Sequence, residues 1–207
     1  MIERERQFRY VLLVLPVEHA HARRIMHGVI HYARRAARDH WLMSHRVPQN
    51  GAGGASGFHG VIAGVHAANL AKQLASFPLP VINVSGGLRD TPCPRVMWDN
   101  LAVGRAAAEH LVGQHHRRLA YVGSSDKWFF TERGRGFEQA LAEHGLSPAA
   151  FEGRIDPDWL QSVDKPAAVF AGQDSLGRDV IHRCRELGLD VPRDVARSEE
   201  HTSELQS

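Results

Sequence analysis

Short apolar runs alternate with amphipathic stretches along this chain. Residues 10–15 form a continuous apolar run, the pattern of a strand covered on both faces. Residues 22–37 carry Ile25, Val29, Tyr32, Ala33 and Ala36 on one side and arginines elsewhere, which predicts an amphipathic helix. Residues 41–43 read as a second strand, 51–57 as a glycine-rich loop and 60–63 as a third strand. A helix over 69–77 is ended by Pro78. A fourth strand at 81–84 leads into the turn Ser85-Gly86-Gly87.

The second half repeats the rhythm. Val96-Met97-Trp98 runs into Asp99 and Asn100, either of which can cap a helix carrying Val103, Ala106, Ala107, His110 and Leu111 on one stripe. Strands are predicted at 119–122 and 167–171, and helices at 132–144 and 176–187, ended by Gly145 and Gly188. Strands alternating with helices imply an α/β fold, with parallel sheets covered on both faces. We divide the chain into a first lobe over 8–115 and a second over 116–196, each a doubly wound parallel sheet. Such sheets bind ligands at the carboxyl ends of their strands. Polar residues collect there: 18–21, 83–85, Asp99 and Asn100, 124–127, and Gln173 with Asp174.

Composition narrows the class. The 207 residues are 43% hydrophobic, enough for a sizeable core, and the net charge of +2 is spread along the chain, so it makes no nucleic-acid footprint. Two distant cysteines build no disulfide framework and fit a reducing cytoplasm. The apolar run at 10–15 is too short for a signal-peptide core or a membrane span. Residues 197–207 lack an apolar period and match the conceptual translation of a sequencing-library adapter, so they are set aside from the fold.

Several segments resemble one family. Val96, Asp99 and Asn100, then Gly104, Ala106, Ala107, His110 and Leu111, then the run from His116 to Gly123, are similar to the core of the LacI/GalR effector-binding domain, which is periplasmic-binding-protein-like of type I. Glu132-Arg133 with Gly136, Phe137, Ala140, Leu141 and His144-Gly145-Leu146 continue the likeness, as do 166–171 with Asp174, and 186–196. At the front, Arg23, Gly28, Tyr32, Ala33 and Arg34 ahead of Trp41, with 79–86, look like the XylR group of xylose-operon activators. In that group the sensor comes first and an AraC-type pair of helix-turn-helix units follows. The resemblance therefore implies a homodimeric, cytoplasmic sugar sensor of a transcription regulator, with a pentose such as xylose as effector. It would contact DNA only through a C-terminal domain lying beyond Ala196. Ligand-driven closure of the lobes would be the switch. Two departures are expected to matter: 149–165 is short for a strand plus a helix, suggesting a deletion, and the second lobe stops where the family supplies a further ligand-contacting aspartate.

Candidate ligand residues each carry an ordinary structural alternative. Asp99 can accept from sugar hydroxyls at a helix N-terminus, with Asn100 supplying the cap, or it can simply cap that helix itself. Arg133, on the resemblance, donates forked hydrogen bonds into the cleft; the alternative is an exposed arginine paired with Glu132 or a neighbour. Trp128 and Phe129 read as loop aromatics that either stack on a sugar face or cover the core. Gln173 and Asp174 are ligand donors and acceptors or helix caps. Glu18, His19, His21 and Ser85 are the first lobe's candidates.

His27 and His31 lie four apart on one helix, but no HExxH pattern or third carboxylate ligand accompanies them, so no metal and no cofactor is expected. Neither a phosphate loop nor Gly-x-Ser-x-Gly is present, so no enzyme is expected either. The rivals are a transport-type periplasmic sugar-binding protein, which needs an export signal, and an α/β enzyme, which needs a catalytic dyad or a phosphate loop.

Overall fold

The computed structural model describes residues 9–35, 41–44 and 57–198. The predicted glycine-rich loop (apart from Gly57), the end of the first helix beyond Arg35, and residues 199–207 lie outside them. By contacts the chain forms two compact units, Met1–Met97 and Trp98–Ser207. Each holds a four-stranded, wholly parallel sheet, as the alternation of strands and helices implies.

The first unit contains β1 (Arg9–Val14), α1 (Ala20–Arg35), β2 (Trp41–Ser44), β3 (Gly60–Ala63), α2 (Ala68–Ala75) and β4 (Val81–Asn83), with strand order β2-β1-β3-β4. β1 lies inside the sheet and is buried from Val11 to Val14, so an unbroken apolar run was required there. Leu12, Val14, Val61, Ala63, Leu74 and Phe77 make one core, with α2 closing it. On α1, Ala22 and Ala33 are buried, but Tyr32, predicted on the core side, is 63% exposed. After β4 the chain returns beside it: the Asn83 amide donates to Pro94 O and the Val96 amide to Asn83 O, both at 2.8 Å.

The second unit contains α3 (Asn100–Gly113), β5 (Arg118–Gly123), α4 (Trp128–Glu143), β6 (Ala149–Glu152), α5 (Pro157–Ser162), β7 (Ala167–Ala171), α6 (Asp174–Glu186) and β8 (Val195–Ser198), with order β6-β5-β7-β8. Alternate residues of β5 and β7 feed two cores. Ala120, Val122, Val169 and Ala171 face the side holding Leu160 and Val180, while Leu119, Tyr121, Ala168 and Phe170 face the side holding Leu111 and Phe137. Every residue of β7 is buried.

Four details differ from the sequence pattern. Residues 149–165 hold both a strand and a helix, since four strand residues and six helical ones fit the span with Asp156 capping α5. β8 continues through Arg197 and Ser198, which pair with Val169 and Phe170, so the sheet includes the first two residues of the segment set aside. α4 begins at Trp128 rather than Glu132: no side-chain cap marks its start, and a stripe of Phe130, Arg133 and Phe137 buries it from the first turn. On α3 the buried positions are Asn100, Gly104, Ala107, Ala108 and Leu111, whereas Ala106 is exposed.

By contacts α3 belongs with the second unit. α3 crosses α4 with almost no space between backbones. A Cβ on Gly104 would come under 3.0 Å from Arg133 O and Phe137 N, and one on Gly136 would come as close to Leu101 O. Only glycine fits either place. Gly104→Ala is expected to destabilise the chain by about 2–4 kcal/mol in urea unfolding, because backbone atoms must separate. Gly113→Ala, also in α3 but with nothing within 4 Å of its Cβ, should be neutral or stabilising by up to about 1 kcal/mol.

Candidate functional site

At the carboxyl edge of the second sheet the chain places an arginine inside the protein. Arg133 is 5% exposed, which excludes the reading of a surface arginine paired with Glu132; Glu132 instead faces Arg135 at 3.6 Å. The Arg133 Nε donates to Asn100 Oδ1 at 2.9 Å and Nη1 to Gly172 O at 2.6 Å. Its Cζ lies 4.9 Å from the centroid of the Phe129 ring, where the ring quadrupole attracts a cation. The guanidinium thus joins three places: the start of α3, the first turn of α4 and the exit of β7.

The floor beneath it is Tyr121. A Cβ on Gly123, Gly134 or Gly172 would come under 3.0 Å from its ring or hydroxyl, so three glycines from different segments form its cradle. Its hydroxyl donates to Phe130 O at 2.8 Å, fixing the first turn of α4. Burial pushes the phenol well above its ordinary value, so it stays a donor at any physiological pH.

Beside this, Glu152 at the end of β6 holds the loop after β5. Its Oε1 accepts from the Ser125 amide at 2.6 Å, the Ser125 hydroxyl at 3.0 Å and the Ser124 hydroxyl at 3.2 Å. These bonds, the backbone one first, hold its carboxyl below the usual glutamate range.

The remaining candidates of this unit sit around the same edge. Asp99 is exposed and is the N-cap of α3, its Oδ1 accepting from the Ala102 amide at 3.0 Å; Asn100 is buried against Arg133 and does not take the cap. Trp128 and Phe129 are half-buried in the first turn of α4 rather than in a loop. Gln173 is the N-cap position of α6 without a side-chain cap bond, its amide donating to Ser175 Oγ. Asp174 is half-buried as the first residue of α6, not the residue ahead of it.

In the first unit, Ser85 is half-buried after β4; its amide donates to Asn83 Oδ1 at 2.9 Å and its Oγ accepts from the Gly87 amide at 3.1 Å. Asn83, fully buried, also accepts from the Val65 amide at 3.0 Å, tying the ends of β3 and β4 together. Glu18 and His21 are exposed after β1, and His19 lies 3.9 Å from Glu18. Arg23 folds that loop by donating to Val17 O and Glu18 O at 2.8 and 2.9 Å.

Sequence reasoning missed Tyr121 and Glu152 as parts of this edge. Asn100 was placed at the strand ends with Asp99, but its only stated role was as a cap. Tyr121 stood within an apolar strand, where nothing but the glycines at 123, 134 and 172 hinted at a large ring below. Among the described residues no group of three or more potential metal ligands comes together.

This is a parallel-sheet α/β fold of the periplasmic-binding-protein-like kind, with polar side chains gathered at the carboxyl ends of its strands. Residues 108–196 match the periplasmic binding protein-like domain family. The catabolite control protein A of Priestia megaterium is 25% identical over 138 residues, 60% of this chain and 41% of that protein. The HTH-type transcriptional repressor PurR of Aliivibrio salmonicida is 27% identical over 146 residues, 61% of this chain and 42% of that protein. Among solved structures, that of the xylose-binding transcription activator XylR superposes with a TM-score of 0.80 at 22% identity, covering 93% of this chain and 54% of that one. The likeness to periplasmic-binding-protein-like domains is carried by residues 108–196, and the chain spans less than half the length of the curated transcription regulators it is similar to. No helix among the described residues is long and apolar enough to cross a membrane.

Two outcomes test this geometry. Tyr121→Phe leaves the Phe130 carbonyl without its donor and should cost about 1–2 kcal/mol by thermal or urea unfolding, since the ring itself is retained. The Glu152 clamp is depressed-pKa chemistry, so its contribution is present above the ordinary glutamate value of about 4.3 and is lost as pH falls through the lower folded value. Amide exchange at Ser125 should therefore be slow at neutral pH, relative to its intrinsic rate, and lose that protection only once pH has fallen below the ordinary glutamate range.

Proposed function

We propose that this chain is the effector-sensing part of a bacterial transcription regulator, and that it binds a small sugar through the carboxyl-edge residues. The observation that carries this reading is Arg133, a buried guanidinium held at the end of a parallel sheet with Phe129 against its face. A sugar offers hydroxyl acceptors to such a fork and C–H faces to an aromatic ring. Trp128, Asp99, Gln173 and Asp174, at helix starts on the same edge, are the further contacts in this reading. Glu18, His21 and Ser85 are the further candidates, at the ends of the first unit's own strands.

The finer reading is a pentose, with xylose as the leading case, and DNA contacts made by AraC-type units elsewhere in the regulator. Its support is the likeness to the xylose-binding activator together with the XylR-like pattern of 23–34 and 79–86. In the same reading the regulator is a cytoplasmic homodimer without catalytic activity, as befits relatives that are transcription regulators.

A thermal-shift panel of pentoses and hexoses tests it. A sugar at about 100 times its Kd should add roughly 2.7 kcal/mol of stability, read as a higher Tm. Arg133→Lys, which keeps the charge but loses the fork, should reduce the shift without abolishing it. A panel in which no sugar raises Tm would overturn the sugar assignment.

A further inference from the structure

We propose that Asn100 is the positioning residue for Arg133: its side-chain oxygen holds the guanidinium at Nε and so sets the direction of the fork that meets the effector. The proposal rests on the reading of Arg133 as an effector contact and extends it to a residue whose side chain faces inward.

Three observations converge on it. Asn100 and Arg133 are each 5% exposed, and they meet at 2.9 Å through Nε, the one donor that lies at the root of the fork rather than at its tips. A bond at Nε fixes the plane of the guanidinium. The second bond, from Nη1 to Gly172 O at 2.6 Å, then removes rotation within that plane. Asn100 is itself immobile. It opens α3, its Nδ2 donates to Trp98 O at 3.2 Å, and the helix behind it is locked on α4 by the Gly104 and Gly136 crossing.

The division of labour at this helix start is also specific. Asp99 takes the capping bond to the Ala102 amide, so the side chain of Asn100 is released from that duty and turns inward. An asparagine suits the inward place because it offers an acceptor to Nε and a donor to Trp98 O without adding a second buried charge.

The test has a ligand-independent arm and a ligand arm, both on the whole chain. In 15N NMR, wild type should show a slowly exchanging arginine Nε–H that disappears in Arg133→Lys. Asn100→Ala should speed its exchange by about tenfold or more, the scale of one hydrogen bond to a charged group, while Asn100→Asp, which keeps an acceptor, should leave it slow. If Asn100→Ala does not fold, Asn100→Ser decides, its hydroxyl being too short to reach Nε. In calorimetric titration with D-xylose, Asn100→Ala should weaken binding by about tenfold or more and Asn100→Asp by no more than about threefold. In the Arg133→Lys background Asn100→Ala should have no further effect, which a merely structural asparagine would not reproduce. Unchanged Nε exchange in Asn100→Ala or Asn100→Ser, or additive losses in the double variant, would overturn the positioning role. Failure of D-xylose to bind wild type would count against the pentose reading alone, and the Nε exchange would then decide the role of Asn100.

Discussion

An arginine cannot sit inside a protein unless its charge and its donors are answered there. In this chain the answer to Arg133 comes from three separate elements, through Asn100 Oδ1, Gly172 O and the face of Phe129. Much of the second unit is arranged so that these three can meet. The helices α3 and α4 must touch backbone to backbone, which restricts positions 104 and 136 to glycine. The turn after β7 must present a carbonyl, and the first turn of α4 must be held from below, which Tyr121 does through the Phe130 carbonyl. The price is a set of glycines around one ring, at 123, 134 and 172, where any side chain would collide.

The same arrangement links fold and function. A parallel sheet brings the carboxyl ends of its strands to one edge, and the loops there are free to carry polar groups without disturbing the core. The second sheet uses that edge for a rigid group, the guanidinium, surrounded by less constrained ones. Glu152 stiffens the loop after β5 through three donors to one oxygen, so that edge is built of fixed parts, and a fixed donor loses little entropy when it binds. The first sheet shows the same economy in Asn83, whose oxygen serves the ends of two strands at once.

The architecture was legible in the sequence because burial on both faces writes unbroken apolar runs. Residues 60–63 and 167–171 match β3 and β7 to the residue. Element starts were less legible where no capping side chain announces them. α4 begins four residues early because Phe130, Arg133 and Phe137 bury its first turns, and an arginine within a core stripe reads as a polar interruption. The side on which α3 packs was hidden for a related reason: alanine and glycine carry little hydrophobic signal, so Ala106 and Ala108 look alike until α4 is in place. At the site, strand-end polarity pointed to Asp99, Asn100, Gln173 and Asp174 and the family resemblance to Arg133, but neither could rank them. Which of two adjacent residues caps a helix and which turns inward is decided by the partner across the crossing, and that partner is 33 residues away.

The account's central claim is that a ligand meets the fork of Arg133. A crystal structure of the chain grown with the sugar that most raises its melting temperature tests this most directly. The account predicts ring density with hydroxyl oxygens within hydrogen-bond distance of the Arg133 guanidinium and one sugar face against Trp128 or Phe129. An ordered sugar bound elsewhere, with the Arg133 guanidinium making no contact to it, would contradict the claim.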